Sequence, residues 1–313
     1  MITQRIIGKY QGTEKGPLLI CIGGMHGNEP AGVRAIDLMS KMLEVEPITN
    51  PAFSFKGSFL GLVGNTRAFY QNQRFLKRDM NRMFIPEIIE SIKNKEIGDL
   101  EEEELEIKEL LECIHSHIKS IQADRVILLD LHTTSSSGGI FSIATDDHKS
   151  IDIAMELHAP VIVGMLNGIK GTTLHYFNEK NFSIPITPVT FESGQHEEEL
   201  SVNRAIAAIT NCMRTIGCIR AEDVENKHDK ILIEYSKDLP KVVNLVERFS
   251  ITPEDEFKML PDYKNFQSIK KGEVLAISAS GKIHASVDGR ILMPLYQQKG
   301  EEGFFIVQEV EGY

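Results

Sequence analysis

The sequence predicts an α/β protein in which helices surround a mixed sheet, followed by a smaller β-rich domain. Three observations carry this reading. Apolar runs of strand length alternate with segments of helical spacing before residue 225. Two of those runs, Leu18-Leu19-Ile20-Cys21-Ile22 and Val126-Ile127-Leu128-Leu129-Asp130-Leu131, are unbroken enough for buried parallel strands, and each is followed by a histidine among small or polar residues. Beyond residue 225 the apolar runs shorten and alternate with turns at Gly272, Gly281, Asp288-Gly289 and Gly300. A chain of 313 residues accommodates two domains at about 150 residues each, and the change of character divides it into 1–224 and 225–313.

Taken in order, residues 1–16 read as a short edge strand with turns near Gly12 and Gly16. The strand at 18–22 leads to Gly23-Gly24-Met25-His26-Gly27-Asn28-Glu29-Pro30. A helix then covers 31–43, with Val33, Ile36, Leu38, Met39 and Leu43 at helical spacing and Pro30 at its entrance. A strand at 57–63 ends in Gly64-Asn65-Thr66, so a parallel sheet brings the basic loop that follows to the same edge as His26. Residues 87–121 are helical in character: Leu105, Leu110, Leu111, Ile114 and Ile118 form an apolar stripe, and the acidic run 101–106 is expected on a charged outer face. His115 and His117, two apart, point to different helix faces and read as surface imidazoles. After the strand ending at His132 come a break at Gly138-Gly139, a strand at 140–144, a helix at 151–158 and a strand at 161–165. Polar, proline-interrupted residues 172–188 are expected to form a loop over the site. A further strand ends at Glu192, and a long helix at 196–216 stops at Gly217. Ile231-Leu232-Ile233 and Phe304-Phe305-Ile306-Val307 are read as runs of the β-rich domain.

Composition narrows the class of function. With 42% hydrophobic and 25% charged residues the chain reads as an ordinary soluble protein. No run approaches bilayer length, and Met1-Ile2-Thr3-Gln4-Arg5 lacks the apolar core of a secretory signal. Cys21, Cys113, Cys212 and Cys218 form no regular framework and read as reduced thiols, which points to the cytoplasm. A net charge of -11 argues against a nucleic-acid partner. Against that background Arg67, Arg74, Lys77, Arg78 and Arg82 make a local basic patch suited to a small anionic ligand. Whether the chain forms a homo-oligomer is left open.

His26 and Glu29, three residues apart on a turn entering a helix, can converge on one cation and supply two of the three protein ligands of a catalytic zinc. His132, at the end of the second strand, is the candidate for the third, with Asp130 placed to orient its imidazole. The serines after His132 lack a Gly-x-Ser-x-Gly elbow, and the glycines before His26 are not a Gly-x-Gly-x-x-Gly loop.

Together, His26-x-x-Glu29, the segment Arg78-Asp79-Met80-Asn81-Arg82, His132 and Thr190-Phe191-Glu192-Ser193-Gly194 resemble the succinylglutamate desuccinylase and aspartoacylase family, which belongs with the zinc carboxypeptidases; order and spacing agree over residues 17–200. The resemblance implies a zinc-carboxypeptidase-like sheet and one Zn2+ per chain held by His26, Glu29 and His132. It further implies Glu192 as general base toward water, Arg74 as the guanidinium that steadies the oxyanion, and Arg82 with Asn81 as the grip on a substrate carboxylate. The implied reaction is hydrolysis of the amide bond of an N-acyl amino acid. Two alternatives stay open: a carboxypeptidase acting on a short peptide, and a non-enzymatic metal-binding module. One departure bears on the substrate. The aspartoacylase branch has an additional arginine shortly before the catalytic glutamate, whereas residues 172–191 contain none here, so a monoanionic substrate fits better than a dicarboxylic one.

Overall fold

Eleven strands share one mixed sheet with helices on both faces, and three further strands form a small second sheet, in the computed structural model, which describes residues 4–223 and 227–312. The chain runs through β1 (Ile6–Gln11), β2 (Glu14–Gly23), α1 (Pro30–Thr49), β3 (Lys56–Val63), α2 (Thr66–Tyr70), α3 (Pro86–Asn94) and α4 (Glu102–Ile121). Next come β4 (Val126–Thr134), β5 (Phe141–Ala144), α5 (His148–Glu156), β6 (Val161–Val163), and three one-turn helices, α6 (Met165–Gly168), α7 (Thr173–Tyr176) and α8 (Glu179–Phe182). β7 (Ile186–Gln195), α9 (Leu200–Thr215) and α10 (Lys227–Ser236) precede β8 (Val242–Ser250), β9 (Lys258–Met259), β10 (Ser268–Ile269), β11 (Val274–Ser278), β12 (Gly281–His284), β13 (Gly289–Leu292) and β14 (Glu302–Glu309).

The large sheet has the order β1-β3-β2-β4-β7-β5-β6-β8-β14-β13-β10. Its heart, β3-β2-β4-β7, is parallel, while β1 runs antiparallel to β3 and β5 antiparallel to β7 but parallel to β6. Strand alternation sorts the side chains of β2 onto two faces. Leu19 and Cys21 pack with Ile36 of α1 and Ile209 of α9, whereas Leu18, Ile20 and Ile22 pack with Leu110 and Ile114 of α4. Both faces are covered, which is why this strand reads as a continuous apolar run. Cys21, Cys212 and Cys218 are buried, Cys113 is partly buried, and none is paired. Among the described residues no helix is long and apolar enough to cross a membrane.

The acidic run departs from expectation. Glu103, Glu104 and Glu106 are buried, not on an outer face. Glu106 accepts from Arg5, Arg67 and two backbone N–H groups, and Glu104 from Lys95, so each buried carboxylate has donors that offset its loss of water. Residues 172–188 also differ from the expected covering loop. They turn inward, and Tyr176, Phe177 and Phe182 join the apolar cluster beneath α4; three aromatic side chains gain more from that core than from solvent. His115 is exposed and stacks on Phe182.

Residues 231–233 are helical, contrary to the strand-like reading. His228 and Leu232, four apart, face inward, while Ile231 and Ile233 are exposed. That is a helical burial period. The expected division between residues 224 and 225 lies outside the described residues. On either side of it, β6 and β8 pair in parallel, so both parts contribute strands to the large sheet. The carboxyl-terminal part also has its own small core, with Met259, Leu275, Ile291 and Phe304 at its centre.

Candidate active site

The carboxyl ends of β2, β4 and β7 lie side by side, with Gly23 opposite Leu131 and His132 opposite Glu192. Open α/β sheets bind ligands at this edge. The turn after β2 is pressed against the basic loop: Gly27 N donates to Arg74 O at 3.1 Å. A Cβ at Gly27 would lie 2.2 Å from the carbonyl carbon of Ala68, so only glycine permits this approach. Glu29 follows at the N-cap of α1, where short polar side chains usually bond the first turn. It makes no such bond. Its carboxylate instead lies 2.8 Å from His26 Nδ1 and 3.1 Å from His132 Nδ1, and accepts from Thr133 N at 3.0 Å. Chemistry has taken the side chain that capping would use.

Ligand atoms of His26, Glu29 and His132 all lie within 4.8 Å of one another, and the three residues are buried. The far nitrogen of each imidazole faces another carboxylate: His26 Nε2 is 3.1 Å from Asp79 Oδ1, and His132 Nε2 is 3.2 Å from Asp130 Oδ2. Both Nδ1 atoms are thereby left for the shared centre, the tautomer arrangement found where carboxylates orient metal-bound histidines. Asp130 is where the sequence reading put it, and it accepts from Thr173 Oγ1 at 2.6 Å. Two imidazoles and a carboxylate around one point match the donor set of zinc. Although burial opposes it, the imidazoles of His26 and His132 hold the Glu29 carboxyl well below the usual range, and His26 and Arg74 do the same for Asp79. Burial is likewise overcome at His132, which Asp130 and Glu29 raise well above the ordinary imidazole value. A proton held in this way is one that a dication displaces.

Glu192 lines the same small cavity as the three residues above. Its Oε2 is buried without a hydrogen-bond partner. Burial pushes its carboxyl up to about 8 against the attraction of His132, with Glu29 and Asp130 adding repulsion. Arg74 enters from the other side, donating to Glu29 at 3.5 Å and to Asp79 at 3.2 Å. The cavity measures about 60 Å³ and is roofed by Met293, Leu295, Gln297 and Gly300 from the carboxyl-terminal part. No residue of 172–188 lines it.

The two residues expected to hold substrate stand differently. Arg82 faces the cavity, but its guanidinium is engaged: Nε and Nη2 donate to Glu302 at 3.3 and 2.7 Å. Asn81 does not line the cavity; its Oδ1 accepts from Thr173 N at 3.1 Å. His175 and His196 do not line it either. His175 caps a turn with Thr172, and His196 Nδ1 lies 2.7 Å from Thr133 Oγ1.

Sequence reading left four participants unassigned. Asp79 is the one acid in the basic stretch 74–78 and its flank, a signal present in the quoted motif. Glu103 accepts from the consecutive backbone N–H groups of Leu76, Lys77 and Arg78 at 2.7, 3.1 and 3.2 Å, and so pins the loop that carries Arg74. Glu302 and Arg248 arrive from the far end of the chain, and no spacing announces them.

Comparison with known proteins fits this architecture. Residues 15–216 match the family model described as the succinylglutamate desuccinylase/aspartoacylase catalytic domain. A probable aspartoacylase of Acaryochloris marina is 29% identical over 133 residues, covering 42% of this chain and 39% of the relative. The match thus spans well under half of that relative's length. A succinylglutamate desuccinylase/aspartoacylase structure from Rhodobacter sphaeroides superposes with a TM-score of 0.67 at 16% identity, covering 97% of this chain and 88% of the other. A succinylglutamate desuccinylase from Vibrio cholerae gives 0.62 at 17% identity over 96% and 82%.

Proposed function

The chain belongs to the succinylglutamate desuccinylase/aspartoacylase family, and from that premise we propose that it is a zinc-dependent deacylase that hydrolyses the amide bond of a small N-acyl amino acid. The observation that carries this reading is the buried triangle of His26 Nδ1, Glu29 and His132 Nδ1 beside the unpartnered Oε2 of Glu192, in one cavity.

His26, Glu29 and His132 are the proposed holders of one Zn2+. Zinc, when bound there, supplies a Lewis acid that makes water acidic enough to ionise near pH 7. Glu192 is the general base in its ionised form, which a dication held beside it would favour against the burial that raises its carboxyl: its free Oε2 takes the proton of the attacking water and later gives it to the departing amine. Arg74 neutralises the charge that grows on the carbonyl oxygen. Arg82 receives the substrate carboxylate, and Asn81, through Thr173, keeps that arginine's loop against Asp130. Asp79 and Asp130 hold the two imidazoles in register. In this division of labour residues 1–224 supply the chemistry and 225–313 supply the roof. Four unpaired thiols support a cytoplasmic setting.

A carboxypeptidase needs an open cleft. Here the cavity is small, about 60 Å³, and lies under residues 293–300, which favours a small acyl amino acid over a peptide. The test is a hydrolysis panel of N-acyl amino acids and short peptides, read by released amine, with zinc measured in the same sample. One zinc per chain and turnover confined to acyl amino acids is expected. Zinc-loaded protein that cleaves nothing in the panel would retire the reading.

A further inference from the structure

Arg82 and Glu302 meet inside the cavity as a forked pair: two guanidinium nitrogens donate to two carboxylate oxygens. That is the geometry in which an arginine holds a carboxylate ligand. Glu302 stands at the start of β14, where the pairing with β8 shifts register between Glu302 and Phe304. An irregularity of this kind re-aims a side chain. Glu302 is 9% exposed and has a second cation, since Arg248 Nη2 donates to its Oε1 at 2.9 Å.

We propose that Glu302 is a specificity-determining positioning residue: it occupies Arg82 as an internal carboxylate, and a substrate carboxylate gains Arg82 only by exchanging with it. This rests on the deacylase reading and names its substrate class, acyl amino acids with a single carboxylate. Three features support the exchange. When Arg82 is taken, Glu302 keeps Arg248, so no buried charge is stranded; stranding one would make the swap prohibitive. The other cavity arginine, Arg74, is committed to Glu29 and Asp79. No arginine in 172–191 offers a second seat. Neutral ligands of the same shape cannot compete for the guanidinium and gain nothing from the exchange.

The test compares N-acetylglycine, its carboxamide and N-acetylaspartate, by calorimetric binding to zinc-loaded Glu192→Gln protein with and without Glu302→Gln. Removing the internal competitor is expected to tighten N-acetylglycine by about tenfold, the ratio that ~1.4 kcal/mol gives, to leave the carboxamide unchanged, and to lose its effect in an Arg82→Ala background. N-acetylaspartate should bind no better than N-acetylglycine. Tightening that is absent, equal for acid and amide, or retained without Arg82 overturns the proposal. Glu302→Asp keeps the charge for Arg248 but shortens the reach to Arg82, and it must move affinity in the same direction if Glu302→Gln does not fold. Because binding is read without turnover, failure of the hydrolysis panel and failure of the exchange are separate results.

Discussion

The two halves of the cavity are built on different principles. His132 and Glu192 face each other in the ladder of adjacent parallel strands, and His26 and Glu29 follow on the turn that leads from the neighbouring strand β2 into α1. Arg74, Asn81 and Arg82 sit on a segment of bends and one short turn between α2 and α3. Backbone bonding within that segment is sparse, so carboxylates hold it in place: Glu103 from α4 takes its backbone N–H groups, Asp79 of the segment itself takes Arg74, and Glu302 from β14 takes Arg82. The contrast teaches that strand ends bring metal-type ligands together and leave nearby acids to orient the rings, whereas a loop that must present guanidinium groups depends on carboxylates for its position as well.

Perturbing each half should therefore give distinct signatures, the strongest on the strand side. His132→Ala should abolish zinc retention and hydrolysis together, a larger loss than the ~10–100-fold that an outer partner of a ligand costs; full zinc occupancy by elemental analysis would break the assignment of this half. Glu192→Gln should keep zinc while kcat falls by about 10²–10⁴-fold, the usual contribution of a general base. Asp130→Asn should weaken zinc by about 10–100-fold in a chelator competition, because His132 loses its orienting charge. On the loop side, Glu103→Ala strips partners from three consecutive N–H groups, each worth about 1–3 kcal/mol when left unsatisfied. Zinc content should be unchanged, while the melting temperature and kcat/KM both drop; normal kcat/KM would show that the loop positions Arg74 without Glu103. Smallest of all, Arg67→Ala should cost about 1 kcal/mol or less in a denaturant melt, because Arg5 and two backbone N–H groups remain on Glu106.

Legibility followed the same divide. Strands β2, β3, β4 and β7 could be read from apolar runs because both of their faces are buried, and His26, Glu29, His132 and Glu192 could be read because they mark where those runs stop. Asp130 was visible as an acid inside an apolar strand. The acidic run at the start of α4 misled because charge density says nothing about direction: Glu103 and Glu106 point inward to donors that lie 25 to 101 residues away. Residues 231–233 misled for a related reason, since three adjacent aliphatics fit a strand or a helix until His228 and Leu232 are seen buried one turn apart.

Taken alone, the sequence determined the parallel heart of the sheet, the family, and which residues stand at the strand ends, because these depend on local apolar period and on short motifs. Only the tertiary structure decided that the carboxyl-terminal strands extend the same sheet, that residues 293–302 and not 172–188 close over the cavity, and that Glu302 sits on Arg82. Those outcomes rest on pairings between residues as far apart as 220 and 269 positions. Which distant carboxylate reaches a given guanidinium is set by how sheets and helices stack, and no periodicity in the chain encodes it.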